Sequence, residues 1–283
     1  MATVEHQDAI SSGPDAVARN RRNAAMRQDS ESQLIRLLET LYNSPNPTRR
    51  WLHCTRREWL VARIAECACE RPGRALEIGF GAGVYLPALA NHYREVVGTD
   101  LAQSHLEHAR ARTAGLPNLR VVVDDIADTQ LPAHCFDLVL CSEVLEHIHD
   151  TGRAIAGIRR VLAPGGLLIV STPQRHSLME LACKLAFMPG VIKLVRWVYG
   201  EAVFETGHIN LMTEGQMTRA LEAAGFHIRQ RFKSGLYLPL IAEFAGVSGM
   251  RLERWLEEGL RDGPLSWTLW TQYYVAQSEL SSF

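Results

Sequence analysis

A chain of 283 residues, 47% hydrophobic and 22% charged, is long enough to bury a full core in one elaborated domain. Its 30 Lys and Arg nearly balance 31 Asp and Glu, leaving a net charge of −1 and no global basic field for nucleic acid. With no visible signal peptide, no apolar run long enough to span a bilayer, and six scattered cysteines (Cys67 and Cys69 too close for a zinc or redox pair), the expectation is a reduced, cytoplasmic protein.

Residues 1–30 are polar, rich in Ser, Asn and Arg, and expected to be flexible. Residues 31–70 form a helical cap: one amphipathic helix begins at Leu34 and is ended by Ser44-Pro45-Asn46-Pro47, and a second runs from about Arg49 to Glu70. Arg49, Arg50, Arg56, Arg57 and Arg63 on that second helix, with Trp51 and Trp59, read as a solvated face. An anionic acceptor or RNA is the other reading, but no RNA-binding module precedes the core.

From about 71 to 175, strands alternate with helices, which implies a parallel sheet. Arg74-Ala75-Leu76 leads into Glu77-Ile78-Gly79-Phe80-Gly81-Ala82-Gly83 and a helical stretch from Val84. A strand, a glycine turn and a helix open a nucleotide-binding unit, because bare backbone turns tightly and lets a ligand approach. The spacing is G-x-G-x-G, which disfavours a dinucleotide dehydrogenase. Val96–Thr99 is a second strand ending at Asp100, whose carboxylate can take both hydroxyls of a ribose. Leu119–Val123 ends in Asp124-Asp125-Ile126, where Asp125 can accept from an adenine amine and Ile126 can pack on the ring. Phe136–Cys141 is a fourth strand, followed by Ser142-Glu143-Val144-Leu145-Glu146-His147, and Leu162–Gly166 turns into a fifth, Leu167–Ser171.

This ordered set resembles the class I S-adenosylmethionine (SAM) dependent methyltransferases over about residues 70–235, and is similar to their small-molecule branch, including the ubiquinone-biosynthesis O-methyltransferases. The resemblance implies an α/β fold: a doubly wound, mostly parallel seven-stranded sheet over residues 71–283, with N-terminal helices that help cover the cofactor and an inserted helical lid at about 177–210. It also implies that Glu77 and the turn of Gly79, Gly81 and Gly83 hold the methionine end of SAM. Asp100, with Leu101, would hold the ribose, Asp125 and Ile126 the adenine, and Ser142 would lie beside them.

Were a helix to start after Ser142, Glu143, Glu146 and His147 would share one face. With His208 they resemble the metal site of ubiquinone-type and small-RNA 2′-O-methyltransferases, where a divalent cation (Mg, Mn or Zn) grips the acceptor. A metal-free polar pocket with His147 as general base stays open, as does a purely structural role. The catalytic candidates are His147, Glu143, His208 and Tyr199, in that order.

Beyond the core, Leu178–Met188 and Val191–Tyr199 read as two lid helices hinged at Pro189-Gly190, their inner faces carrying Met, Phe and Trp toward an apolar or aromatic acceptor. Lys184, Lys193 and Arg196 with Trp197 would also suit a membrane surface. Thr213 should cap a helix through Ala224, stopped by Gly225; Phe226–Lys233 and Trp270–Ala276 are the last two strands, with a helix near 248–261 between them. The expected activity is methylation of a small, fairly apolar molecule at a hydroxyl. The alternatives are N- or C-methylation without metal and a non-catalytic SAM-binding partner protein. Monomer and homodimer are both open.

Overall fold

A computed structural model describes residues 40–188, 190, 192 and 207–279. The flexible segment, the helix start at Leu34, and the lid residues Lys193, Arg196, Trp197 and Tyr199 lie outside them.

One seven-stranded sheet forms, in the order β3-β2-β1-β4-β5-β7-β6. Strands β1 (Arg74–Ile78), β2 (Glu95–Asp100), β3 (Leu119–Val123), β4 (Phe136–Ser142) and β5 (Leu162–Pro173) are parallel. Strand β7 (Thr271–Ser278) runs antiparallel to both β5 and β6 (Phe226–Ser234). The chain winds outward from β1 in both directions, so the carboxyl ends of β1 and β4 flank a crevice.

Both faces of the sheet are covered, which is why its central strands read as unbroken apolar runs. Successive side chains alternate between faces. Leu76, Val139, Leu168 and Tyr274 join one core with Ile155 of α4 (Thr151–Val161) and Met217 of α6 (Glu214–Ala223). Ala75, Leu138, Leu140, Ile169 and Tyr273 join the other, with α1 (Pro47–Glu70), α2 (Leu86–His92) and α3 (Gln103–Thr113). The Leu162–Gly166 turn is a bulge within β5. Thr213 caps its helix as expected, with Gln216 completing a capping box, and Gly225, at φ +76°, follows the helix.

Helix α1 starts where Asn46 accepts from the Arg49 amide and Pro47 supplies a preset φ. Its buried stripe is Leu52, Arg56, Leu60, Ile64 and Cys67, at helical spacing. Burying Leu60 and Ile64 stabilises the contact by about 2 kcal/mol each. Arg56 falls inside that stripe, so the expected solvated basic face does not hold for it.

The helix expected after Ser142 does not form either. The Glu143 amide donates to the Ser171 carbonyl (2.9 Å), prolonging the β4–β5 ladder, and Glu143 itself takes φ +57°. One 3₁₀ turn, Leu145–His147, follows, and α4 begins only at Thr151, capped by Asp150.

The chain leaves the sheet at Gln174 and returns at Met212, the two joined by a β-bridge. Helix α5 (Leu178–Ala186), capped by Ser177, lies between. Its inward side carries half-buried Met179 and the buried carboxylate Glu180, with Phe187 half-buried just beyond it, while Leu181, Leu185 and Met188 point outward. Between β6 and β7 two helices stand where one was expected, α7 (Pro239–Phe244) and α8 (Gly246–Leu260). All six cysteines are free, and no helix of the described residues is long and apolar enough to cross a membrane.

Candidate active site

The crevice holds two adjoining cavities of about 540 and 150 Å³ that share Gly79, Gly81, His53, Arg56 and Glu143. Their common floor is the glycine turn. Gly79, Gly81 and Gly83 have φ +61°, +51° and +69°, a region costly for any residue with a Cβ, and a Cβ on Gly79 would stand 2.6 Å from Val144 Cγ2. Gly83 shapes the turn from below, against Leu86, and does not line either cavity.

Glu77 and Ser142 line the smaller cavity. Burial, reinforced by Asp100, pushes the Glu77 carboxyl well above the usual carboxylate range, and its Oε2 has no hydrogen-bond partner. An orphaned buried carboxylate oxygen calls for a proton or a cationic partner.

Asp100, Leu101, Asp125 and Ile126 line the larger cavity. Burial alone would raise the Asp100 pKa; His105 and the amides of Ala102 and Gly81 outweigh it and hold the group below its ordinary value. Asp125 is exposed and accepts from the Ala127 amide (2.9 Å), while Ile126 is anchored in the core.

Glu143 is tied by Arg56 Nη2 at 2.9 Å and by Ser171 Oγ at 3.0 Å. Arg56 also donates to Thr271 Oγ1 and lies over the Trp270 ring, 4.8 Å from its centroid. Burial opposes the charge of Arg56, but Glu143 prevails and keeps it protonated. Glu143 therefore stands apart from the cation set expected of it.

The remaining three candidates do converge. Ligand atoms of Glu146, His147 and His208 lie within 4.8 Å of one another. The Glu146 backbone carbonyl accepts from the amides of Ile209 and Asn210, which docks the 207–210 segment on the 3₁₀ turn. His147 Nδ1 meets the Gly207 carbonyl (3.3 Å) and His208 Nδ1 meets Glu180 Oε1 (3.1 Å), leaving Nε2 as the remaining nitrogen of each ring. Glu146 is fully buried; Oε2 accepts from Thr172, and Oε1 has no partner. Burial, then Glu143, raises its pKa well above the carboxylate range. Burial, with help from His208, lowers that of His147.

His53, Glu180 and His105 were not among the expected site residues, and Arg56 was named only within a basic cluster whose alternative reading was an anionic acceptor or RNA. Only Arg56 left a signal, its place between Leu52 and Leu60 on one helical stripe.

The profile of a methyltransferase-domain family matches residues 49–231. The chain belongs to that family. That places it in the class I SAM-dependent methyltransferase family, and the sheet order agrees. Over 173 residues this methyltransferase is 29% identical to a probable S-adenosylmethionine-dependent methyltransferase of Mycolicibacterium smegmatis, covering 61% of this chain and 58% of that one. Over 118 residues it is 32% identical to a ubiquinone biosynthesis O-methyltransferase of Alkalilimnicola ehrlichii, 40% of this chain and 47% of that one. The match thus spans less than two thirds of either relative's length. Among solved structures, N-methyltransferase NodS of Bradyrhizobium japonicum, in complex with S-adenosyl-L-homocysteine, aligns over 83% of this methyltransferase and 89% of that chain, with a TM-score of 0.52 and 20% identity. A putative sarcosine dimethylglycine methyltransferase from Galdieria sulphuraria aligns over 82% and 88%, with a TM-score of 0.56 and 15% identity. These two likenesses show the shared fold.

Proposed function

We propose that this methyltransferase methylates a small, apolar molecule at a hydroxyl oxygen held beside Glu146, His147 and His208. The observation that carries the reading is the convergence of those three groups in the same cavity as the glycine turn and Asp100.

The residues fit SAM. Glu77 supplies an unpartnered buried carboxylate for an ammonium group, and the bare backbone at Gly79 and Gly81 admits the methionine chain. Asp100 would take the ribose hydroxyls, Asp125 the adenine amine, and Ile126 would offer an apolar edge. When bound, SAM supplies an electrophilic methyl group on a sulfonium, so the protein's part is mostly alignment.

A hydroxyl must lose its proton to become a strong nucleophile. His147, neutral because burial disfavours its charged form, would accept that proton at Nε2, and Glu180 would orient His208 beside it. In place of that base role, two imidazoles and one carboxylate, each imidazole fixed through Nδ1, also suit a divalent cation, which would be held by Glu146 Oε1 and both Nε2 atoms and would acidify the hydroxyl. Val144, Ile148 and Trp270 give the cavity apolar walls. The Alkalilimnicola relative is named as an O-methyltransferase, which agrees with an oxygen acceptor.

The test is elemental analysis after equilibration with Mg, Mn and Zn, with methyl transfer from labelled SAM to catechol and amine panels. Wild type would run beside His147→Ala and His208→Ala. Stoichiometric metal and catechol methylation, both lost in the variants, are expected. Methylation of amines alone, undiminished in both variants, would overturn the oxygen assignment.

A further inference from the structure

Helix α5 buries a carboxylate and leaves an apolar stripe in solvent. Its one buried side chain is the carboxylate Glu180, turned to His208, while Leu181, Leu185 and Met188 stand about half exposed (51%, 52% and 51%) at i, i+4 and i+7 spacing. A surface helix ordinarily shows the reverse pattern. Beside that stripe runs a groove of about 500 Å³, bounded by Leu181 and Lys184 of α5, by Arg175 and His176, and by Trp267. Leu265, next to Trp267, is also exposed. Among the described residues, neither Arg175 nor Lys184 makes an ion pair.

Helix α7 neighbours α5 and has exposed apolar residues of its own. Met179 of α5 packs on a small cluster containing Ala242 of α7, and from α7 Leu240 and Phe244 project into solvent. Pro173, just before Arg175, pairs with Thr271, just after the Leu265–Trp267 turn. That pairing lies at the carboxyl end of the parallel strands, the end at which the cavity opens.

We propose that this face, α5 with the Leu265–Trp267 turn and α7, docks on an anionic lipid bilayer. Leu181, Leu185, Met188 and Trp267 would enter the headgroup–acyl boundary, and Arg175 and Lys184 would meet lipid phosphates. Charge decides the occupant. A two-fold contact with a second copy would lay the same unpaired cations near one another, which disfavours association, whereas anionic headgroups complement them. The inference needs no particular methyl acceptor, although an apolar one would reach the cavity from that surface.

Flotation of the full chain with phosphatidylcholine vesicles, with and without phosphatidylglycerol, tests the proposal. Binding is expected on the anionic vesicles, weakened by salt. Two variants, Leu181→Ser/Leu185→Ser/Trp267→Ser and Arg175→Glu/Lys184→Glu, change only exposed positions. Each should lose roughly tenfold or more in vesicle partitioning while keeping far-UV circular dichroism and S-adenosylhomocysteine binding. Absence of wild-type flotation on anionic vesicles overturns the proposal, as does unchanged flotation of both variants. Self-association of wild type without vesicle binding would assign the face to a second copy and overturn it equally. Failure to bind S-adenosylhomocysteine in every sample would count against the SAM reading alone, since flotation is scored separately.

Discussion

Arg56 and Glu143 meet at 2.9 Å across the wall of the cavity, linking the helix ahead of the sheet to the tip of its fourth strand. Both are mostly withdrawn from solvent, and Glu143 sits at a left-handed backbone position that most residues avoid. Removing one partner leaves the other charge uncompensated beside Glu146. Arg56→Met should therefore cost about 2–4 kcal/mol in urea unfolding, and the double variant Arg56→Met/Glu143→Leu should recover a good part of it. A loss in the double variant equal to the sum of the losses in Arg56→Met and Glu143→Leu would show that the pair is not coupled.

Glu77 holds its proton to higher pH than an ordinary carboxyl because it is buried near Asp100. A raised folded-state value means that its contribution to stability is full below about pH 4.5 and is lost as pH rises through the folded value. Glu77→Gln should thus stabilise the ligand-free protein in mildly alkaline buffer. If an ammonium group docks there, S-adenosylhomocysteine binding should release a proton in wild type, visible as a dependence of calorimetric enthalpy on buffer ionisation heat. The variant should lose that dependence and bind roughly 10- to 100-fold more weakly. An identical buffer dependence in both proteins would remove Glu77 from the ammonium site.

His53 stands edge-on between Tyr42 and Trp270, its pKa lowered to about 3 by burial and then by Arg56 and Arg49. The unfolded chain takes up a proton near pH 6.5 that the folded chain refuses. Stability should accordingly fall with acidification between those two values, by up to about 1.4 kcal/mol per pH unit from this group. His53→Phe keeps an aromatic ring and should flatten the pH dependence of the urea midpoint across that window. A slope no shallower than wild type would place the acid sensitivity elsewhere.

Glu180 fixes the tautomer of His208 through Nδ1. Glu180→Ala should weaken zinc binding by calorimetry about 10- to 100-fold, with Glu180→Gln intermediate because an amide oxygen still accepts the hydrogen bond. Zinc affinity unchanged in Glu180→Ala would make the carboxylate a mere anchor for the lid helix.

The parts legible in the sequence were those that backbone geometry dictates locally. The glycine turn announced itself because only glycine takes φ near +60° at three alternate positions without strain, and Asp100 because a strand's length fixes its end. The 3₁₀ turn after Ser142 was not legible, since it depends on the Ser171 carbonyl, 28 residues on, capturing the Glu143 amide. Arg56 was read as solvated by residue type, when its place on the Leu52–Leu60 stripe turned it inward toward a carboxylate on another element. Glu180 was hidden for the converse reason. An apolar run suggests a buried face, and here the long-range bond to His208 turned that face outward.

The bridge between Gln174 and Met212 works as a clasp. Gln174 donates to the Trp270 carbonyl at 2.6 Å, the Gln272 side chain donates to the Met212 carbonyl at 2.9 Å, and so both ends of the intervening stretch are fastened to the sheet rather than to each other's contents. Whatever that stretch contains, the strands beneath it keep their register. Changes between these two fastening points should therefore leave the strand register, and with it the glycine turn and Asp100, in place.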